Sequence, residues 1–132
     1  MRQERGSVSV VIAAVVLLAL VLSLGVADVA HVLVARSRAR TAADAAALAV
    51  AQDLVIPSGV VLSDIAANYA ALNGAELSVC VCEPGASEAT VTVSIRVDGF
   101  LLVAGARTVQ ARSRAVVDLP VGPAVVPPAP GS

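Results

Sequence analysis

The chain has no tryptophan and no lysine, and its aromatic residues are one tyrosine, Tyr69, and one phenylalanine, Phe100. Without aromatic side chains to stack on bases, a surface for single-stranded nucleic acid cannot be assembled. All nine basic residues are arginines, set against ten acidic ones for a net charge of −1, so no basic field for a phosphate backbone exists either. Two cysteines, Cys80 and Cys82, and one histidine, His31, fall short of the four ligands of a tetrahedral metal site. No Gly-rich phosphate cradle is present, and no Ser or Cys nucleophile comes with a base and an orienting group. The sequence predicts a protein that is not an enzyme, with no cofactor, metal, nucleic acid or small-molecule substrate.

Charge is also scarce. Charged residues make up 14% of the chain and hydrophobic ones 58%, with a mean hydropathy of +0.87. An average soluble domain has roughly 25% charged residues. The apolar excess is concentrated in "VSVVIAAVVLLALVLSLGVA", Val8 to Ala27, which has no charge, no proline and one glycine. Roughly 20 such residues form a helix about 30 Å long, the thickness of a bilayer's hydrocarbon core. In lipid the backbone must satisfy its own hydrogen bonds, which imposes a helix on this valine-rich run. A buried helix of a soluble protein fits poorly, because only about 100 residues remain to cover it.

Two readings of the run compete. "MRQERG" supplies a charged leader and "GVA", Gly25 to Ala27, has the small-x-small form of a signal-peptidase site, so the chain could be a soluble module released after Ala27. The run is, however, longer than the usual apolar region of such signals, about 7–15 residues. The helical pattern also passes through the cleavage point without a breaker.

Beyond the run, Ala30 to Leu54 is rich in Ala, Leu and Arg, the strongest helix formers. Val32, Ala35, Ala39, Ala42, Ala46 and Ala49 recur by threes and fours, placing small side chains along one face, where a sheet or helix can approach closely. Arg36, Arg40 and Asp44 step by four along a neighbouring face, and Arg40 and Asp44 are spaced for an ion pair worth a few tenths of a kcal/mol. Arg38 reads as solvated. Ile56-Pro57-Ser58-Gly59 stops the helix. A single helix from Ser7 to Leu54 would be roughly 70 Å long.

The rest reads as a small α/β unit. Ser63 to Asn73 is a short amphipathic helix that Ser63 or Asp64 can cap and Asn73-Gly74 can end. Alternation follows: Leu77, Val79 and Val81 face one way, with Ser78, Cys80 and Cys82 on the other. Val91, Val93, Ile95 and Val97 oppose Thr90, Thr92, Ser94 and Arg96. "EPGASE", Glu83 to Glu88, is the hairpin turn. After "DGFLLVAGA", a third strand sets Val109, Ala111, Ala115 and Val117 against Gln110, Arg112 and Arg114. Such a meander needs a cover, and the alanine-rich half of the long helix is the obvious one. The cysteines, two residues apart on a strand, lie about 6–7 Å from each other, awkward for a mutual disulfide; they read as a bridge to another subunit or as two small hydrophobes under the hairpin.

The fold class predicted is thus α+β. The organisation is a basic leader at 1–6, a transmembrane helix at 7–28, an extracytoplasmic extension of that helix at 29–56, and a small domain at 57–118. That domain has a helix at 63–73 and strands near 77–82, 90–97 and 108–117; a Pro-rich disordered tail follows at 119–132. Asp28 and His31 stand one turn apart at the membrane exit. They read as interfacial polar residues, with Asp28 pairing alternatively to an arginine of a neighbouring copy, since an isolated carboxylate near lipid is costly.

"GVADVAHVLVARSRARTAADAAALAVA" closely resembles the signature of the TadE/TadG-like proteins of tight-adherence (Flp) pilus systems. "ANYAALNGAELSVC" looks like the actinobacterial, secretion-neighbourhood branch of that group. The resemblance implies a minor pseudopilin matured by a prepilin peptidase after Gly6, leaving Ser7 at the N-terminus. It implies other pilin-like or secretion-apparatus subunits and the membrane as partners. It also implies a single-pass topology with the N-terminus cytoplasmic, a matter that the arginines on both sides of the run leave open. Pilins usually carry Glu at the fifth mature position, and here that position is Val11. Asp28, His31, Arg36, Arg40 and Asp44 are the candidate packing and membrane-exit residues.

Overall fold

The computed structural model describes residues 4–102 and 104–118. The expected tail at 119–132 and the first three residues of the leader lie outside them. A single helix, α1, runs from Glu4 to Val55. Its 52 residues make it about 78 Å long. It continues through Gly25 to Ala30 without interruption, as expected for a segment with no proline and only one interior glycine in its lipid-length half.

The two halves of α1 differ in what surrounds them. Every large aliphatic side chain from Val8 to Leu24 is exposed. Each would forgo about 1.5–3 kcal/mol of transfer free energy if left in water, so this half requires an apolar environment. In the other half Ala35, Ala39, Ala42, Ala46 and Ala49 of the small-residue stripe are all buried, while Val32 at its start is half-buried. Ala43, Ala47, Val50 and Ala51 are buried as well, making the seat wider than one stripe.

The stop signal works as its residues suggest. Ser58 N–H donates to Asp53 Oδ1 at 2.8 Å, and Gly59 has φ of 83°. Helix α2 (Leu62–Leu72) then packs back on α1. Neither Ser63 nor Asp64 caps it. Val61 is the N-cap, its carbonyl accepting the N–H groups of Asp64 and Ile65, and both polar residues sit inside the first turn. Leu62, buried, fixes that start, because placing Leu62 against the core advances the helix by one residue. At the far end Gly74, at φ 73°, donates to Ala71 O while Ala75 N–H reaches Ala70 O. These paired bonds close a Schellman motif, as the Asn-Gly sequence predicts.

Three strands follow: β1 (Glu76–Val81), β2 (Glu88–Val97) and β3 (Arg107–Val116), antiparallel in the order β1-β2-β3. They begin and end within two residues of the expected positions. β2 and β3 pair over their whole length, from Glu88 opposite Val116 to Val97 opposite Arg107. Val91 and Val93 are fully buried against α1, and Ala111 and Ala115 of β3 pack at the same core. The core is built of small residues: besides Val91 and Val93, its largest fully buried side chain is Val50. Helix and sheet can therefore approach closely, and little volume is left to absorb a larger residue.

In β1 the expected alternation fails. A bulge lies between Leu77 and Val79, so that Leu77 faces Val93 while Val79, two residues on, faces Thr92. The extra residue, Ser78, shifts the phase of everything after it. Val79 and Val81 turn outward, and Cys80 and Cys82 turn toward the core beside Leu77. The two cysteines are joined to each other in a disulfide, with their Cα atoms 5.4 Å apart. An extended strand would hold them too far apart for comfort, but Cys82 lies just past the end of β1, where the chain is free to contract.

Candidate functional site

Asp28 is the first charged residue after the apolar run and the only charged residue of α1 among the described ones that is buried, 8% exposed. Its partners come from the other end of the chain. Oδ1 accepts the backbone N–H of Leu101 at 2.8 Å and Oδ2 that of Leu102 at 2.9 Å. Both oxygens of one carboxylate thus hold two consecutive amides of the loop between β2 and β3. Charge-assisted bonds of this kind are stronger than neutral ones, and here they tie the loop to the helix at one level.

The loop enters through Gly99, at φ 83°, and leaves through Gly105, at φ 117°. Between them it presents Phe100, half-buried, and Leu101 and Leu102, exposed. The guanidinium of Arg107 lies over the Phe100 ring, 5.9 Å from its centroid. Phe100 and Arg107 share a shallow cavity with Asp28, Val32 and Arg36 of α1. One turn below, the Leu102 Cδ1 lies 3.7 Å from where a Cβ on Gly25 would stand. The side chain therefore rests against α1 at a glycine, within the uncharged run.

Of the other expected residues, Arg36 joins this cluster and the rest do not. His31 is exposed, and the Asp28 carboxylate turns to the loop rather than to it. Arg40 and Asp44 are exposed, and the ion pair their spacing permits is not formed: among the described residues the salt bridge is Arg114 with Glu88, across β2 and β3. Gly6 and Ser7 are exposed on the first turns of α1. Phe100, Leu101, Leu102 and Arg107 were not foreseen. The signal was in view, since "FLLV" between glycines is an unusually apolar hairpin connection. No group of three or more potential metal ligands converges among the described residues.

The arrangement is that of a rod with an apolar half, carrying a small domain clasped to its other half. Residues 6–53 match the family model described as "Putative Flp pilus-assembly TadE/G-like". The matched span is the rod itself, from the first turn of α1 almost to its end. The description is of pilus assembly, and the match covers 48 of the 132 residues. The long apolar N-terminal helix fits a single-pass membrane anchor. No curated protein and no solved structure gives a match.

Proposed function

We propose that this chain is a minor pseudopilin-like subunit of a TadE/G-type pilus or secretion apparatus, anchored in the cell membrane by the apolar half of α1. The observation that carries this reading is the continuity of α1 from wholly exposed aliphatic residues to a wholly buried alanine seat. Lateral contacts with other pilin-like subunits would use the exposed apolar half, and the domain of α2 and the three strands would face outward. The N-terminus is assigned to the cytoplasm and the domain to the extracytoplasmic side. The Cys80–Cys82 disulfide supports that assignment, because such bonds persist in oxidising compartments.

Processing after Gly6 would leave Ser7 first. With Val11 at the fifth position, the mature amine would find no carboxylate there on a neighbour, so assembly would rest on apolar packing. Release after Ala27 is disfavoured by the structure's own contacts. It would cut α1 inside an unbroken helix and separate Gly25 from Leu102. The intact mass of protein recovered from membranes tests the proposal. A start at Met1 or Ser7 is expected, whereas a soluble species starting at Asp28 would overturn it.

A further inference from the structure

We infer that the loop between β2 and β3 dips into the outer leaflet of the bilayer, giving the domain a second membrane contact beside α1. The inference rests on the anchor reading above and adds a contact that reading does not require.

Four observations support it. The loop tip lies alongside α1 on the apolar side of Asp28: Leu102 touches the Gly25 level, three residues inside the uncharged run. If Val8 to Ala27 spans lipid, Leu102 is level with that lipid. The tip is apolar, and its two leucines are 58% and 49% exposed. The exposed surface of Leu102 is continuous with that of Val21, Leu22, Val26 and Val29 on α1, and together they line one apolar groove. A lipid-facing helix face and the loop are therefore one surface.

The third observation concerns the backbone. Irregular chain is excluded from lipid because its N–H groups lose their water, and it is tolerated where protein groups satisfy them. Asp28 satisfies the two amides at the tip, those of Leu101 and Leu102. The same two bonds partner a carboxylate that would otherwise be costly at the edge of a bilayer. Each side of the clasp solves the other's problem, and neither problem arises in water. Finally, polarity is graded in the right direction. Phe100 and, above it, Arg107 and Arg36 lie toward the charged side of Asp28 and Leu102 toward the apolar side. Arginines at that level suit the headgroup region, where their stems lie on apolar surface and their charged ends reach water.

The test uses the full chain in phosphatidylethanolamine–phosphatidylglycerol vesicles, with Cys80 and Cys82 left oxidised. A polarity-sensitive fluorophore is placed singly through Leu102→Cys, through Ala104→Cys as a second loop reporter, through Leu18→Cys in the span and through Ser87→Cys at the opposite end of the domain. Nitroxide lipids with shallow labels should quench the loop reporters several-fold more than the Ser87→Cys one, and deep nitroxides should quench the one at position 18. Loop reporters as open to aqueous iodide as the one at position 87, with position 18 still in lipid, overturn the inference and leave the anchor intact. Iodide access at position 18 overturns the anchor reading itself. Loop reporters shielded from both quenchers but cross-linking between copies would give the surface to a second chain, and so overturn the inference.

Discussion

The Asp28 carboxylate and the Leu101 amide, 73 residues apart in the chain, are joined by a hydrogen bond of 2.8 Å. Leu102 adds a second bond to the other carboxylate oxygen. Through this pair the membrane-exit turn of a long helix and the far hairpin of the sheet become one structural unit.

Replacing Asp28 by Asn removes the charge and leaves one acceptor facing two donors, with an NH2 group against the other N–H. The expected result is faster hydrogen exchange at the Leu101 and Leu102 amides, with β2 and β3 unchanged at their Val91–Ser113 and Val93–Ala111 pairs. Unchanged protection at positions 101 and 102 would mean that the clasp is not what orders the loop.

The alanine seat makes a steric prediction. Ala46 is fully buried between α1 and the rest of the core. Ala46→Leu should destabilise the domain by about 1–3 kcal/mol through overpacking. Leu48→Ala, at an exposed position on the same helix, should change stability by less than about 0.5 kcal/mol. Denaturant titration of the detergent-solubilised protein, followed by far-UV circular dichroism, distinguishes the two.

The bulge in β1 can be read out by comparing valines. Val91→Ala should cost about 2 kcal/mol, since it removes two buried methyl groups from a fully enclosed position. Val79→Ala and Val81→Ala should cost less than about 0.5 kcal/mol, because both side chains face out. A large loss at Val79 would mean that β1 keeps simple alternation and that the phase shift at Ser78 is absent.

The disulfide makes a chemical prediction. Alkylation of the unfolded, unreduced protein should modify neither Cys80 nor Cys82, and reduction should free both. Its contribution to stability should be small. The loop it closes is only a few residues long, and loop entropy then gives about 1.5 kcal/mol in the chain-entropy model. Two thiols free without reductant would contradict the pairing.

What could be read from the sequence was local. The uninterrupted helix, the spacing of Ala35 to Ala49, the end of α2 at Asn73-Gly74 and the strand periods of β2 and β3 each depend on residues within a few positions of one another. What escaped depends on partners. Ser78 becomes a bulge only because of how Leu77 and Val79 pair with β2, and that one residue turns the cysteines inward. The start of α2 at Leu62 rather than at a Ser63 or Asp64 cap follows from burial of Leu62 in the core. Asp28 stood out as a carboxylate next to lipid, but its partners are backbone amides more than seventy residues on, and nothing near Asp28 announces them. Arg36 lines the same shallow cavity as Phe100 and Arg107, a neighbourhood set by the β2–β3 loop and not by any residue near Arg36 in the chain.

Distance measurement by pulsed electron resonance in nanodiscs tests the central claim, that α1 is one rigid rod from lipid to domain. Spin labels at Ser9 and Arg38, both exposed on α1, are 29 positions apart, or about 43 Å along an unbroken helix. A narrow distribution near that distance is predicted. A broad distribution shifted to shorter distances would place a joint between the two halves and contradict the account.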